Sequence, residues 1–144
     1  KLLAVNVIDD SNHVTSTLDI CKPFWVEIKY RINKTLPYCR VGINVYSDVG
    51  EIVFEAYDSD DARYIGPREP GYYVSRCELP GNYFNAKRYF LSIYAGIPDT
   101  KYLAGVENVL AIDVEDMGGI GSHMFELKRD GVVRPKLNWE MVKK

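Results

Sequence analysis

The feature that most limits what this chain can fold into is the stretch Phe24-Trp25-Val26-Glu27-Ile28-Lys29-Tyr30-Arg31-Ile32, which alternates without a break. Successive side chains on a strand point to opposite faces. Phe24, Val26, Ile28, Tyr30 and Ile32 therefore form one apolar side, and Trp25, Glu27, Lys29 and Arg31 form the other. The first side needs a second layer to cover it. The second combines one large ring with charges, which suits neither a dry interior nor an ordinary solvated surface.

The same division recurs downstream. Cys39 to Tyr46 sets Val41, Ile43 and Val45 against Arg40, Gly42, Asn44 and Tyr46. After the turn residues Ser47-Asp48-Val49-Gly50, the segment Glu51 to Tyr57 sets Ile52, Phe54 and Ala56 against Val53, Glu55 and Tyr57. The economical topology for these three strands is a meander. Arg88 to Ile97 places Tyr89, Leu91, Ile93 and Ala95 opposite Phe90, Ser92 and Tyr94. Further strands are expected at Leu2–Ile8, His13–Ile20, Gly71–Leu79 and Val109–Asp116, with Met124–Lys128 and Val132–Met141 pairing at the end. The last of these would carry Trp139 into core or dimer packing beside Val133, Pro135, Leu137 and Met141. Asp58 to Pro70 is acidic, then rich in glycine and proline, and has no period, as in a long surface loop. Pro98-Asp99 and the glycines at 118, 119 and 121 mark further turns. No helical stripe is present. Many short strands between regular turn signals predict an all-β, antiparallel β-sandwich of immunoglobulin-like or jelly-roll type, one domain over 1–144.

Composition narrows the function. Eighteen basic and 20 acidic residues leave a net charge of −2, too weak a field to gather nucleic acid or an anionic membrane. Cys21, Cys39 and Cys77 are too few, and odd in number, for a disulfide framework, which favours a reducing compartment. There is no apolar run of membrane-spanning length and no signal peptide, and the opening at Lys1 is that expected of a piece of a longer protein.

Signals for catalysis are weak. There is no Gly-x-Ser-x-Gly elbow, and Ser122 and His123 are neighbours whose side chains diverge on an extended chain. Two histidines cannot furnish a cupin-type metal centre. Asp58-Ser59-Asp60-Asp61 groups oxygen ligands suited to calcium but lacks the spacing of an EF-hand, so a solvated acidic loop is the competing reading. Glu27, Glu55, Asp113 and Glu115 are the carboxylates from which a glycosidase pair would have to come.

The stronger signal is the polar side of the strands. If they pair as a meander, Trp25, Lys29, Arg40, Asn44, Tyr46, Glu55, Tyr57 and Tyr94 share one sheet face, with Arg31 and Ser92. A sugar ring offers a C–H face to an aromatic ring and hydroxyls to planar polar groups, so such a mixture suits a glycan. Eleven tyrosines add rigid amphipathic contact surface. Cross-strand aromatic pairing would predict the same residues.

Three motifs carry a family resemblance. They are Ser47-Asp48-Val49-Gly50-Glu51-Ile52-Val53-Phe54; Pro70-Gly71-Tyr72-Tyr73 with Leu79-Pro80-Gly81-Asn82-Tyr83-Phe84-Asn85 and Tyr89; and Ala111-Ile112-Asp113-Val114-Glu115-Asp116 with Arg129-Asp130-Gly131-Val132-Val133-Arg134-Pro135 and Trp139. In order and spacing they resemble the C-terminal carbohydrate-binding domain of the nucleotide-binding subunit of O-antigen polysaccharide ABC exporters, the Wzt C-terminal domain. One departure is Ala86-Lys87-Arg88 before Tyr89, where the family usually has a glycine. The resemblance implies a non-catalytic module without a cofactor or metal that recognises a finished polysaccharide, often at a modified non-reducing end. It also implies an ATPase domain elsewhere in the parent protein, a homodimer made by exchange of C-terminal strands, a transmembrane exporter subunit as partner, and a place on the cytoplasmic side of the inner membrane of a Gram-negative bacterium. No catalytic residue is implied. The rivals are a glycan-cleaving or glycan-modifying sandwich enzyme and an immunoglobulin-like domain with a protein partner.

Overall fold

The computed structural model describes residues 1–97, 101–117 and 129–144, with the backbone alone over 101–109. Eight strands occur among them: β1 (Leu2–Ile8), β2 (Thr17–Asp19), β3 (Phe24–Ile32), β4 (Arg40–Ser47), β5 (Ile52–Tyr57), β6 (Gly71–Leu79), β7 (Arg88–Ile97) and β8 (Lys101–Glu115). They form a three-stranded sheet in the order β1-β3-β6 and a five-stranded sheet in the order β2-β8-β7-β4-β5. Neighbours are antiparallel except β2 and β8, which run parallel. This is a β-sandwich, and the strand order is that of the immunoglobulin arrangement rather than a jelly roll.

The alternation of β3 dictates its place. Phe24, Val26, Ile28, Tyr30 and Ile32 are all buried, and they face Val41, Ile43 and Val45 of β4 and Tyr89, Leu91 and Ile93 of β7 across the core. Phe84 joins the layers at one end, with ring centroids 5.6 Å from Phe24 and 4.9 Å from Tyr89. The Tyr89 hydroxyl donates to the carbonyls of Asn85 and Val132, and burial pushes its pKa up to about 12. A tyrosine at the start of this strand, bonded to backbone just upstream, is the tyrosine corner of immunoglobulin-like sandwiches.

Two expectations from the sequence are corrected. β3 does not continue into a meander, because the chain between Asn33 and Cys39 crosses from one sheet to the other, and of the three strands β3, β4 and β5 the last two alone pair with each other. Alternation specifies which side of a strand is buried but not which sheet holds it. The terminal segment, expected as a strand over Val132–Met141, makes among the described residues one bridge, Val133 with Phe84, extended by hydrogen bonds from the Arg134 and Lys136 amides to the Tyr83 and Asn82 carbonyls, and is otherwise irregular. Trp139 is 88% exposed and packs into no core among the described residues. β8 starts earlier than Val109, at Lys101. The expected strand Met124–Lys128, the Ser122-His123 pair, the turn at Pro98-Asp99 and the glycines at 118, 119 and 121 lie outside the described residues.

Candidate functional site

Because β3 belongs to the smaller sheet, the predicted site residues divide between the two outer surfaces. Trp25 and Lys29 lie on the outside of the three-stranded sheet, whereas Arg40, Asn44, Tyr46, Glu55, Tyr57 and Tyr94 lie on the outside of the five-stranded one. They do not share a face. Trp25 is covered in its own neighbourhood by Arg76, whose guanidinium lies 5.2 Å from the indole, and Lys29 stands 3.6 Å from Glu27. On that surface Lys29 and Glu27 form an ion pair, and the indole lies under the Arg76 guanidinium.

The other six are brought together by register. Cross-strand rows on the outer face run Tyr57–Gly42–Tyr94 and Glu55–Asn44–Ser92, and Tyr46 stands between Phe90 and Ile52. The last row depends on a bulge in β5, which turns Ile52 outward to 53% exposure although simple alternation would bury it. At the centre sits Gly42. A Cβ there would lie 2.2 Å from the Ala56 carbonyl oxygen and 2.6 Å from Cδ1 of Tyr57, so only glycine lets the flanking tyrosine lean over the strand. The rings of Tyr57 and Tyr94 meet edge to face at 5.7 Å and 80°. Arg40 reaches over them, its guanidinium 4.0 Å from the Tyr57 centroid and 5.5 Å from that of Tyr94.

Polar groups border this aromatic shelf. The Tyr57 hydroxyl donates to Glu55 at 3.4 Å, and burial, followed by the Glu55 charge, raises the phenol's pKa and keeps it a donor. Oδ1 of Asn44 is buried and accepts no hydrogen bond, and Nε of Arg40 is buried and donates none, among the described residues. Rings, a guanidinium, a carboxamide and a carboxylate on one face constitute a surface for a flat amphipathic ligand with hydroxyl groups.

The loop after β5 holds a network that the sequence did not reveal. Arg68 is buried, donates to the Tyr30 hydroxyl at 2.6 Å and pairs with Asp58 at 2.9 Å, while Ser75 donates to the second Asp58 oxygen and Val41 N–H to the first. An arginine in a stretch rich in glycine and proline gives no sign that it will be buried. The network ties the loop across a cleft of about 790 Å³ between the free edges of β5 and β6, floored by Ile28, Val41 and Ala56. The acidic cluster is likewise committed to protein donors. Asp60 accepts from Tyr57 N–H, and Asp61 takes the Arg63 guanidinium at 2.7 Å, which holds its carboxyl at about 2. The three carboxylates of Asp58, Asp60 and Asp61 thus point to separate partners, and no group of three metal-ligating side chains converges among the described residues.

The carboxylates considered for glycoside cleavage do not converge on a cleft either. Glu27 and Glu55 lie on opposite surfaces of the sandwich. Asp113, three strand spacings or about 14 Å from Glu55 across the sheet, is gripped by Arg88 through two hydrogen bonds that lower its pKa. Glycosidase pairs stand within about 10 Å of each other. Glu115 lies near Asp113 on β8, but neither lines the cleft at β5 and β6.

The fold and the outer face define an immunoglobulin-like β-sandwich with an aromatic and polar shelf on its larger sheet. Among solved structures, the crystal structure of the C-terminal domain of Wzt has the same fold, with a TM-score of 0.78 over 99% of this chain and 83% of that one, at 14% sequence identity. The sequence matches no family model. It likewise matches no curated protein.

Proposed function

We propose that this chain is a non-catalytic module that binds a bacterial O-antigen polysaccharide, at or near its non-reducing end, and couples the finished glycan to export by an ABC transporter. The observation that carries this reading is the Tyr57–Tyr94 shelf over Gly42, overlaid by Arg40 and bordered by Asn44 and Glu55. The shared fold with the Wzt C-terminal domain and the sequence motifs support it. The ATPase domain and the contact with the transmembrane subunit belong to the parent protein, on the cytoplasmic side of the inner membrane. No helix among the described residues is long and apolar enough to cross a bilayer. A homodimer formed by the C-terminal segment belongs to the same reading, since Leu137, Trp139 and Met141 alternate and are all exposed.

Isothermal titration with the polysaccharide of the parent organism tests the site. Tyr57→Ala and Tyr94→Ala should each weaken binding about fivefold to tenfold, the equivalent of about 1 kcal/mol for an aromatic contact. Trp25→Ala, on the other sheet, should leave affinity unchanged. Recovery of the glycan at its original length, without new reducing ends, distinguishes the binder from an enzyme. Loss of affinity in Trp25→Ala but not in the tyrosine variants would move the site to the smaller sheet.

A further inference from the structure

On the outer face of the larger sheet, Arg40 stands out from the other charged groups. Arg88 is neutralised by Asp113 there, while Lys29 with Glu27 on the opposite surface, Arg63 with Asp61 and Arg68 with Asp58 are all close ion pairs. Arg40 has no carboxylate within 4 Å and no hydrogen-bond partner among the described residues; its contacts are the faces of Tyr57 and Tyr94. Glu55, the nearest acidic residue in the two rows, is engaged with the Tyr57 hydroxyl.

A half-buried guanidinium loses hydration that an ion pair would normally restore. The ring of Tyr57, with its centroid 4.0 Å from the guanidinium carbon, offsets part of this through its quadrupole. The Nε end is turned inward, whereas the two terminal nitrogens are neither buried nor bonded among the described residues. Such a fork, fixed in orientation and open at its outer edge, matches the two oxygens of a carboxylate or phosphate. Its position above the aromatic shelf places that contact beside a sugar ring packed against Tyr57 or Tyr94. We propose that the glycan read on this face is acidic, and that Arg40 receives its carboxylate or phosphate group. The inference rests on the carbohydrate-binding reading above and specifies the chemical class of the ligand.

The test is an array of bacterial surface oligosaccharides in three sets, neutral, carboxylated with uronic or pyruvylated sugars, and phosphorylated, followed by titration of the members retained. The expected result is retention of carboxylated or phosphorylated members at least tenfold more tightly than their neutral counterparts, and the set retained identifies the source of the charge. Raising the salt concentration should weaken that binding. Arg40→Gln should abolish the preference with its unfolding midpoint unchanged, and Arg40→Lys, which keeps the charge but not the fork, should retain only part of it. Equal affinity for neutral members, or an unaltered preference in Arg40→Gln, overturns the acidic ligand and leaves glycan binding standing. Retention of no member from any set overturns both.

Discussion

Gly42 governs the geometry of the shelf more than any residue that would touch a ligand. Its neighbours on both sides are tyrosines, and the closest atom to an added Cβ is the Ala56 carbonyl oxygen, part of a backbone that cannot rotate away. Gly42→Ala should therefore destabilise the domain by about 1–3 kcal/mol, the usual cost of overpacking. It should also lower glycan affinity in the protein that remains folded, because Tyr57 must move. Urea unfolding and titration of the same preparation measure the two effects. The importance of this glycine is not legible in the sequence, where it occupies one more outward position of an alternating strand. Arg40, Asn44, Glu55, Tyr57 and Tyr94 were legible, since alternation put each of them outside. Trp25 was legible as an outward ring and not as a neighbour of Tyr46, because the pairing of strands is a long-range property that no local pattern encodes.

At the level of elements, the segment between β5 and β6 shows why a charge cluster is a poor guide to its own use. Asp58 accepts from Arg68, Ser75 and the Val41 amide, 10, 17 and 17 positions away, and Tyr30 joins the network through Arg68 and Ser75, so that the loop is fastened to both sheets. Nothing near Asp58 in the sequence marks those partners. Arg68→Ala leaves the Asp58 carboxylate shielded and without its counter-ion, a change that costs about 3–5 kcal/mol in buried pairs. The expected outcome is a stability loss of that order, together with faster hydrogen exchange at the Val41 amide, which donates to Asp58. An unchanged unfolding midpoint would show that the loop is not anchored through this pair. Strands β3, β4 and β7 are recoverable from alternation because each has one predominantly apolar side. β5 was recovered with the wrong outward residue at its start, since a bulge shifts the period by one and no sequence pattern announces it.

For the whole molecule, the apolar residues divide into those that hold the sandwich together and those at the C-terminus that do not. Leu137, Trp139, Met141 and Val142 are each more than 60% exposed, and among the described residues the backbone bonds of the final segment to the sandwich lie before them, at Val133, Arg134 and Lys136. Removing residues 137–144 should leave the unfolding free energy of the dilute monomer within about 0.5 kcal/mol of the full chain, as for substitutions that touch no packed feature. If these residues join two copies, the truncation should abolish a concentration-dependent dimer in sedimentation. The sandwich class was readable from the sequence because many strands recur at regular spacing; the exposed terminus was not, since its alternation is that of any half-buried strand and its burial depends on what lies beside it.

The position of β8 bears on how the domain is made. It lies inside the larger sheet, flanked by β7 and, in parallel, by β2, so residues 17–19 meet residues 113–115 across nearly the whole chain. During synthesis β2 leaves the ribosome early and has no neighbour until β8 follows it. Contacts of such sequence separation slow the closing step, and a nascent chain waiting for them exposes unpaired strand edges. The order of strands thus delays completion of the larger sheet until β8 is made, and makes that interval the time at which its strand edges are most exposed to misassembly.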